Sequence, residues 1–67
     1  MAMAEPNDFK LIRKIVAQGG SRRTSGNVDR RKYQRLVELG WLARFSPNVS
    51  DVVYTVTHRG KAAAKRV

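Results

Sequence analysis

The side chains of this chain best equipped for chemistry are its cations, and the chemistry they offer is the holding of anions. Arg30, Arg31 and Lys32 are consecutive, and Arg22 and Arg23 precede them in a polar stretch. Fourteen lysines and arginines stand against five aspartates and glutamates, for a formal net charge of +9 and a pI of about 11.3. A field of that sign attracts polyanions, and neutralising phosphates releases condensed counterions, so nucleic acid is the partner class to which charge points first. An acidic protein or a lipid headgroup surface would answer the same field. About one net positive charge per seven or eight residues is more than solubility asks of a small domain.

Catalysis finds no comparable support, and the sequence reads as a non-enzyme. His58 is the sole histidine, there is no cysteine, and no carboxylate lies close enough in sequence to orient it, so neither a metal site nor a catalytic triad can be argued. Asp8 and Asp29 sit where helices should start, Asp51 falls in a turn, Glu38 lies on a polar helix face and Glu5 in the amino-terminal tail. Gly19-Gly20 is not followed by the Gly-Lys-Ser/Thr of a phosphate-binding loop. No cofactor is indicated.

The elements that must position these cations fit in one domain. A chain of 67 residues buries only roughly 60% of the surface it exposes when unfolded, so its core must be minimal. Hydrophobic residues make up 42% of it, enough for a compact globule. No apolar run approaches a membrane span and MAMAEP has no apolar signal core, so the expectation is a cytoplasmic protein without membrane contact. Residues 1–6 read as a flexible tail and residues 7–67 as the single domain.

Within that domain, a first helix is expected from Asn7, capped by Asn7 or Asp8, with Phe9, Ile12, Ile15 and Val16 on one face and Lys10, Arg13 and Lys14 on the other. Gly19 and Gly20 end it. Residues 21–27 are polar and turn-prone, with Arg22-Arg23-Thr24 their only possible strand. A second helix over residues 29–39 takes Asp29 as its cap and Val28 against Tyr33 as a hydrophobic staple. Tyr33, Leu36, Val37 and Leu39 share its apolar side, Arg31, Gln34, Arg35 and Glu38 its polar side, and Arg35 can pair with Glu38. Gly40 supplies its left-handed cap. Period-two patterning over residues 41–45 and 52–56 predicts a hairpin with Val52, Tyr54 and Val56 on one face, its loop at residues 46–51. Trp41, Phe45, Tyr33 and Tyr54 are assigned to the core, because aromatics dominate what so small a domain can bury. Thr57 can cap a short last helix, which Gly60 and the cations His58 to Lys61 weaken.

The expected class is therefore α+β: helix, short strand or loop, helix, β-hairpin wing, short carboxy-terminal helix. Leu36, Gly40, Trp41 and Leu42, followed by the strand at residues 53–56 and then by Thr57 and Gly60, resemble the second half of winged helix-turn-helix domains such as the MarR-type and ArsR-type transcription regulators. The likeness covers a little over half the chain. It implies that the helix over residues 29–39 holds the place of the recognition helix. Arg30, Arg31, Gln34 and Arg35, with Asn27 just before them, would then face bases, arginine pairing with guanine and glutamine with adenine. In the same frame Arg44, Asn48 and Ser50 of the wing would hold phosphate or the minor groove, and Arg22 and Arg23 would add backbone contacts. The chain departs from the family in one respect: residues 19–28 are too few for the helper helix that precedes the reading helix.

The function expected is a small nucleic-acid-binding module, duplex DNA foremost, acting as a transcriptional regulator or accessory factor, and working as a homodimer if two half-sites are needed. The alternatives are a protein-interaction module that meets an acidic partner on the same scaffold, and RNA binding.

Overall fold

The computed structural model describes residues 3–66. In chain order the elements are α1 (Pro6–Ala17), β1 (Ser21–Ser25), α2 (Arg31–Glu38), β2 (Leu42–Phe45), β3 (Asp51–Val56) and α3 (His58–Lys65). The class is α+β. The strands form one antiparallel sheet in the order β1-β3-β2, with Thr24 opposite Val52, Arg22 opposite Tyr54, Arg44 opposite Tyr54 and Leu42 opposite Val56.

Local chemistry sets each boundary. Pro6 opens α1 at the position where a missing amide costs nothing, one residue earlier than expected, and Glu5 rather than Asn7 occupies the cap. Asp8 does not cap. It stands in the first turn and accepts the Glu5 amide at 2.8 Å. The stretch read as a flexible tail thus includes the helix start, while Met1 and Ala2 lie outside the described residues. The far end of α1 closes with Gly20 N–H donating to the Ile15 carbonyl at 3.0 Å and Gly19 N–H to that of Val16 at 3.1 Å, a Schellman cap. β1 takes in Ser21 and Ser25 beyond the three residues expected, because β3 pairs along its whole length.

The second helix is shorter than its sequence pattern. It starts at Arg31, with Arg30 as the capping residue, and Asp29 stays outside. Its carboxylate still accepts the Arg31 amide at 3.0 Å, so the anion satisfies a free helix donor without the expected cap geometry. Val28 remains 47% exposed and makes a poor staple. At the other end Gly40, with φ of +80°, makes the turn that residues with a Cβ resist. Its N–H donates to Val37 at 3.0 Å and that of Trp41 to Leu36 at 2.9 Å.

The three helices pack on one face of the sheet. Ile12, Ile15, Tyr33, Leu36, Leu42, Val52, Tyr54, Val56 and Ala63 form the buried cluster, and the Tyr33 and Tyr54 rings stack at 5.0 Å. Trp41 is half-buried against Phe9, ring centroids 5.0 Å apart. Phe45 contradicts its core assignment. It pairs with Val53 on the opposite sheet face, which no helix covers, and is 64% exposed.

Two contacts close the domain. Thr57 caps α3 as the sequence suggests, accepting from Gly60 N–H at 3.1 Å while its hydroxyl donates to the Gly40 carbonyl at 2.6 Å. Gly60 itself is buried, and a methyl group there would stand 2.2 Å from the Trp41 carbonyl oxygen and 2.8 Å from Val56 Cγ1. The other contact joins α1 to α2: the Arg35 guanidinium donates to both Asp8 oxygens, at 3.2 and 2.8 Å, and to the Met3 carbonyl at 3.0 Å. The Asp8 side chain is only 8% exposed, and its hydrogen bonds from Arg35 hold its carboxyl below the ordinary range against the opposing effect of burial.

Both contacts are testable by unfolding. Gly60→Ala gains helix propensity of about 1 kcal/mol but must push a backbone carbonyl aside, so a net loss of about 2 kcal/mol is expected. Thermal denaturation showing an unchanged or raised Tm would refute the close approach. Arg35→Ala leaves a buried carboxylate with one backbone donor and should cost on the order of 2 kcal/mol, a Tm drop of roughly 8–16 °C. Because the Asp8 carboxyl is depressed on folding, its stabilisation is complete above the usual carboxylate pKa of about 4 and disappears as pH falls through the lower folded value. Asp8→Asn should therefore be less stable at pH 7 and lose less Tm than the wild type on acidification. Parallel pH profiles of the two proteins would contradict this.

Candidate nucleic-acid interface

The arginines expected to face a base edge are instead bound within the protein. Arg30 is half-buried: its Nε donates to Thr24 Oγ1 at 2.9 Å and one Nη to the Gly26 and Ser50 carbonyls at 2.9 and 3.3 Å, which fastens the start of α2 to the ends of β1 and the hairpin loop. Thr24 in turn donates to the Val52 carbonyl at 3.0 Å. Arg31 is exposed but folds back on Asp29, 2.8 Å away, and Arg35 is held by Asp8. Arg35 has no ion pair with Glu38 among the described residues; its second carboxylate neighbour is Glu5 at 3.9 Å. Of the predicted reading stripe, Gln34 is exposed and without a side-chain hydrogen bond among the described residues, as is Asn27 before it.

The hairpin loop is likewise organised inward. Asn48 Oδ1 accepts from the Ser50 amide, the Ser50 hydroxyl and the Asp51 amide at 2.9 to 3.0 Å, and its amide group donates to Asp51 at 3.1 Å. Asp51 also pairs with Arg23. These contacts make Asn48 and Ser50 the frame of a turn rather than free donors. The Asp29 and Asp51 carboxyls are both lowered to about 2, chiefly by the side-chain hydrogen bonds from Arg31 and from Arg23 respectively. Both therefore stay ionised and keep their arginines occupied at any pH near neutral.

This pairing decides the surface potential. Of fourteen cations, Arg23, Arg31 and Arg35 hold four of the five carboxylates, leaving eleven cations without an ion pair among the described residues. Four of the eleven converge. One groove, of about 450 Å³, lies between β1 and the start of α2 and is lined by Arg22, Arg23, Val28, Asp29, Lys32 and Tyr33 among others. A second, of about 400 Å³, lies between α1 and α2 and is lined by Lys10, Lys14, Leu11, Asn7, Asp8 and again Lys32. Lys32 links them, its ammonium 5.3 Å from the Tyr33 ring centre. The two carboxylates that border these grooves, Asp29 and Asp8, are already neutralised by arginine.

Arg22 is thus the candidate that keeps its expected availability, beside exposed Arg44 on β2, on the far side of Tyr54 from it. Lys10 and Lys14 were not singled out by the sequence, and Lys32 stood out only as the end of the run from Arg30. Their signal was the i, i+4 spacing of Lys10 and Lys14 on the polar face of α1, which is equally the mark of a solvated helix. No cluster of three or more His, Cys, Asp or Glu side chains suited to a metal ion occurs among the described residues, and no helix among them is long and apolar enough to cross a membrane.

No curated protein matches the chain. Residues 4–66 match the family model described as DUF3860-like, and the chain belongs to that family.

Proposed function

We propose that this chain is a small cytoplasmic module that grips the phosphate backbone of nucleic acid, duplex DNA foremost, across the surface where α1, β1 and the start of α2 meet. The observation that carries this reading is the convergence of Arg22, Lys32, Lys10 and Lys14 on two adjoining grooves whose carboxylates are already occupied. Free cations beside neutralised anions create the unbalanced field that phosphates answer by releasing counterions. Duplex is favoured over single strands because unstacked bases need exposed aromatic platforms, and Tyr33, on this surface, is buried.

The reading keeps the likeness to winged helix domains as a scaffold, supported by the element order and by the sheet order β1-β3-β2 with its β2–β3 hairpin. It does not keep insertion of α2 into the major groove. β1 passes directly to α2 with no helper helix between them, α2 spans eight residues or about 12 Å, and its arginines are held by Asp29 and Asp8. Contacts of this kind favour backbone over sequence, as an accessory factor on DNA requires.

The test is a salt titration of duplex binding. Four phosphate contacts give a slope of log affinity against log salt of roughly −3.6, and Lys14→Ala with Lys32→Ala should lower its magnitude by about 2. Arg31→Ala together with Asp29→Ala, which removes a pair whose charges already cancel, should change the slope little. An absence of duplex binding at low salt, or a lysine double variant indistinguishable from wild type, would reject the proposal, and better competition by structured RNA would redirect it.

A further inference from the structure

A second basic surface adjoins the first at Lys10 and has a different chemistry. α3 runs back along α1: Arg66 meets the stretch from Pro6 to Arg13, whereas Lys61 meets Val16 and Ala17. Between the helices are two adjoining open grooves of about 400 and 340 Å³ that share Arg13. Their carbon lining comes from Pro6, Phe9, Val16 and Ala64, and the cations beside it are Arg13, Lys61 and Lys65 with Lys10 and Arg66 at the α1 start. None of these lining residues is acidic, and none of the cations has an ion pair among the described residues.

We infer that the groove between α1 and α3 is the docking site of an acidic amphipathic helix from a partner protein, its apolar stripe laid on Phe9, Val16 and Ala64 and its carboxylates meeting Arg13, Lys61 and Lys65. Charge complementarity selects the sign of the occupant, since a second copy of a chain with net charge +9 would bring cations against cations. The carbon lining selects its kind. Phosphodiesters need donors and have no use for an apolar trough, whereas a helix with apolar residues at i, i+3, i+4 and i+7 fills one. A bilayer wants apolar side chains that project, whereas Phe9 and Ala64 are half-buried and only Val16 of the three is exposed. The eight residues of α3, the shorter wall, give the trough a length of about 12 Å, matching two turns of a docked helix. This inference does not rest on the DNA reading, which uses the surface at Lys14 and Lys32.

Two fluorescent peptides of about 16 residues and identical Leu/Glu composition test it, one with leucines on a helical stripe and one scrambled. By anisotropy at about 150 mM salt, where exposed charges are largely screened, the striped peptide should bind at least tenfold tighter. Val16→Asp changes an exposed side chain and should remove that tenfold preference while leaving the melting temperature and duplex DNA binding intact. Lys61→Glu with Lys65→Glu should weaken both peptides. Equal affinity for the two peptides would overturn the inference by leaving charge alone. So would binding to phosphatidylserine vesicles that is sensitive to Val16→Asp without any preference between the peptides. Loss of DNA binding in Lys14→Ala with Lys32→Ala, with peptide preference retained, would show that the two surfaces are independent and support it.

Discussion

The backbone carbonyl of Trp41 is the point at which the domain is closed. It accepts the Thr57 amide at 2.9 Å, so the start of β2 is joined to the end of β3, and Gly60 presses its Cα against the same group. The geometry exists because Gly40 turns the chain sharply out of α2 and because Thr57 bonds both to that turn and to the first turn of α3. Four elements therefore meet at one joint. In a core with nine buried apolar side chains among the described residues, such backbone contacts carry a larger share of the specification of the fold than they would in a larger protein.

The second organising fact is how few anions there are and where they go. Asp8, Asp29 and Asp51 each sit at a joint between elements or at an element's end, and each is paired with an arginine. The arginines nearest the middle of the chain are consumed in this way or, like Arg30, by carbonyls. The cations left over are mainly lysines and the arginines of α1, β1, β2 and α3. The guanidinium groups of residues 30–35 are thus the framework, and the free charge lies in the lysines and in the arginines outside that stretch other than Arg23.

Much of the fold was legible because it rests on local signals. The Thr57 cap, the Gly40 turn and the alternation of Val52, Tyr54 and Val56 all depend on residues within a few positions of one another. What failed depended on distance. Asp8 and Arg35 are 27 positions apart and Arg23 and Asp51 are 28, and no periodicity reveals such a pairing. Phe45 misled because hydrophobicity says that a residue should be buried and not whether a helix exists to bury it. Gly60 misled in the opposite direction: helix propensity marks it as a weakness, while the packing of α3 on Trp41 and Val56 demands that it have no side chain. The candidate site was legible as total charge and at Arg22, and no further, since the sequence counts cations but does not say which are spent.

The uncovered side of the sheet has a colloidal meaning. Phe45 and Val53 stand there among Ser21, Arg23, Ser25, Asp51 and Thr55, with the free edges of β1 and β2 at its margins. No helix shields that patch of carbon, so what separates it from its like in a neighbouring molecule is the polar frame around it and the long-range repulsion of a net charge of +9. Ions that thin this electrostatic halo leave only the frame.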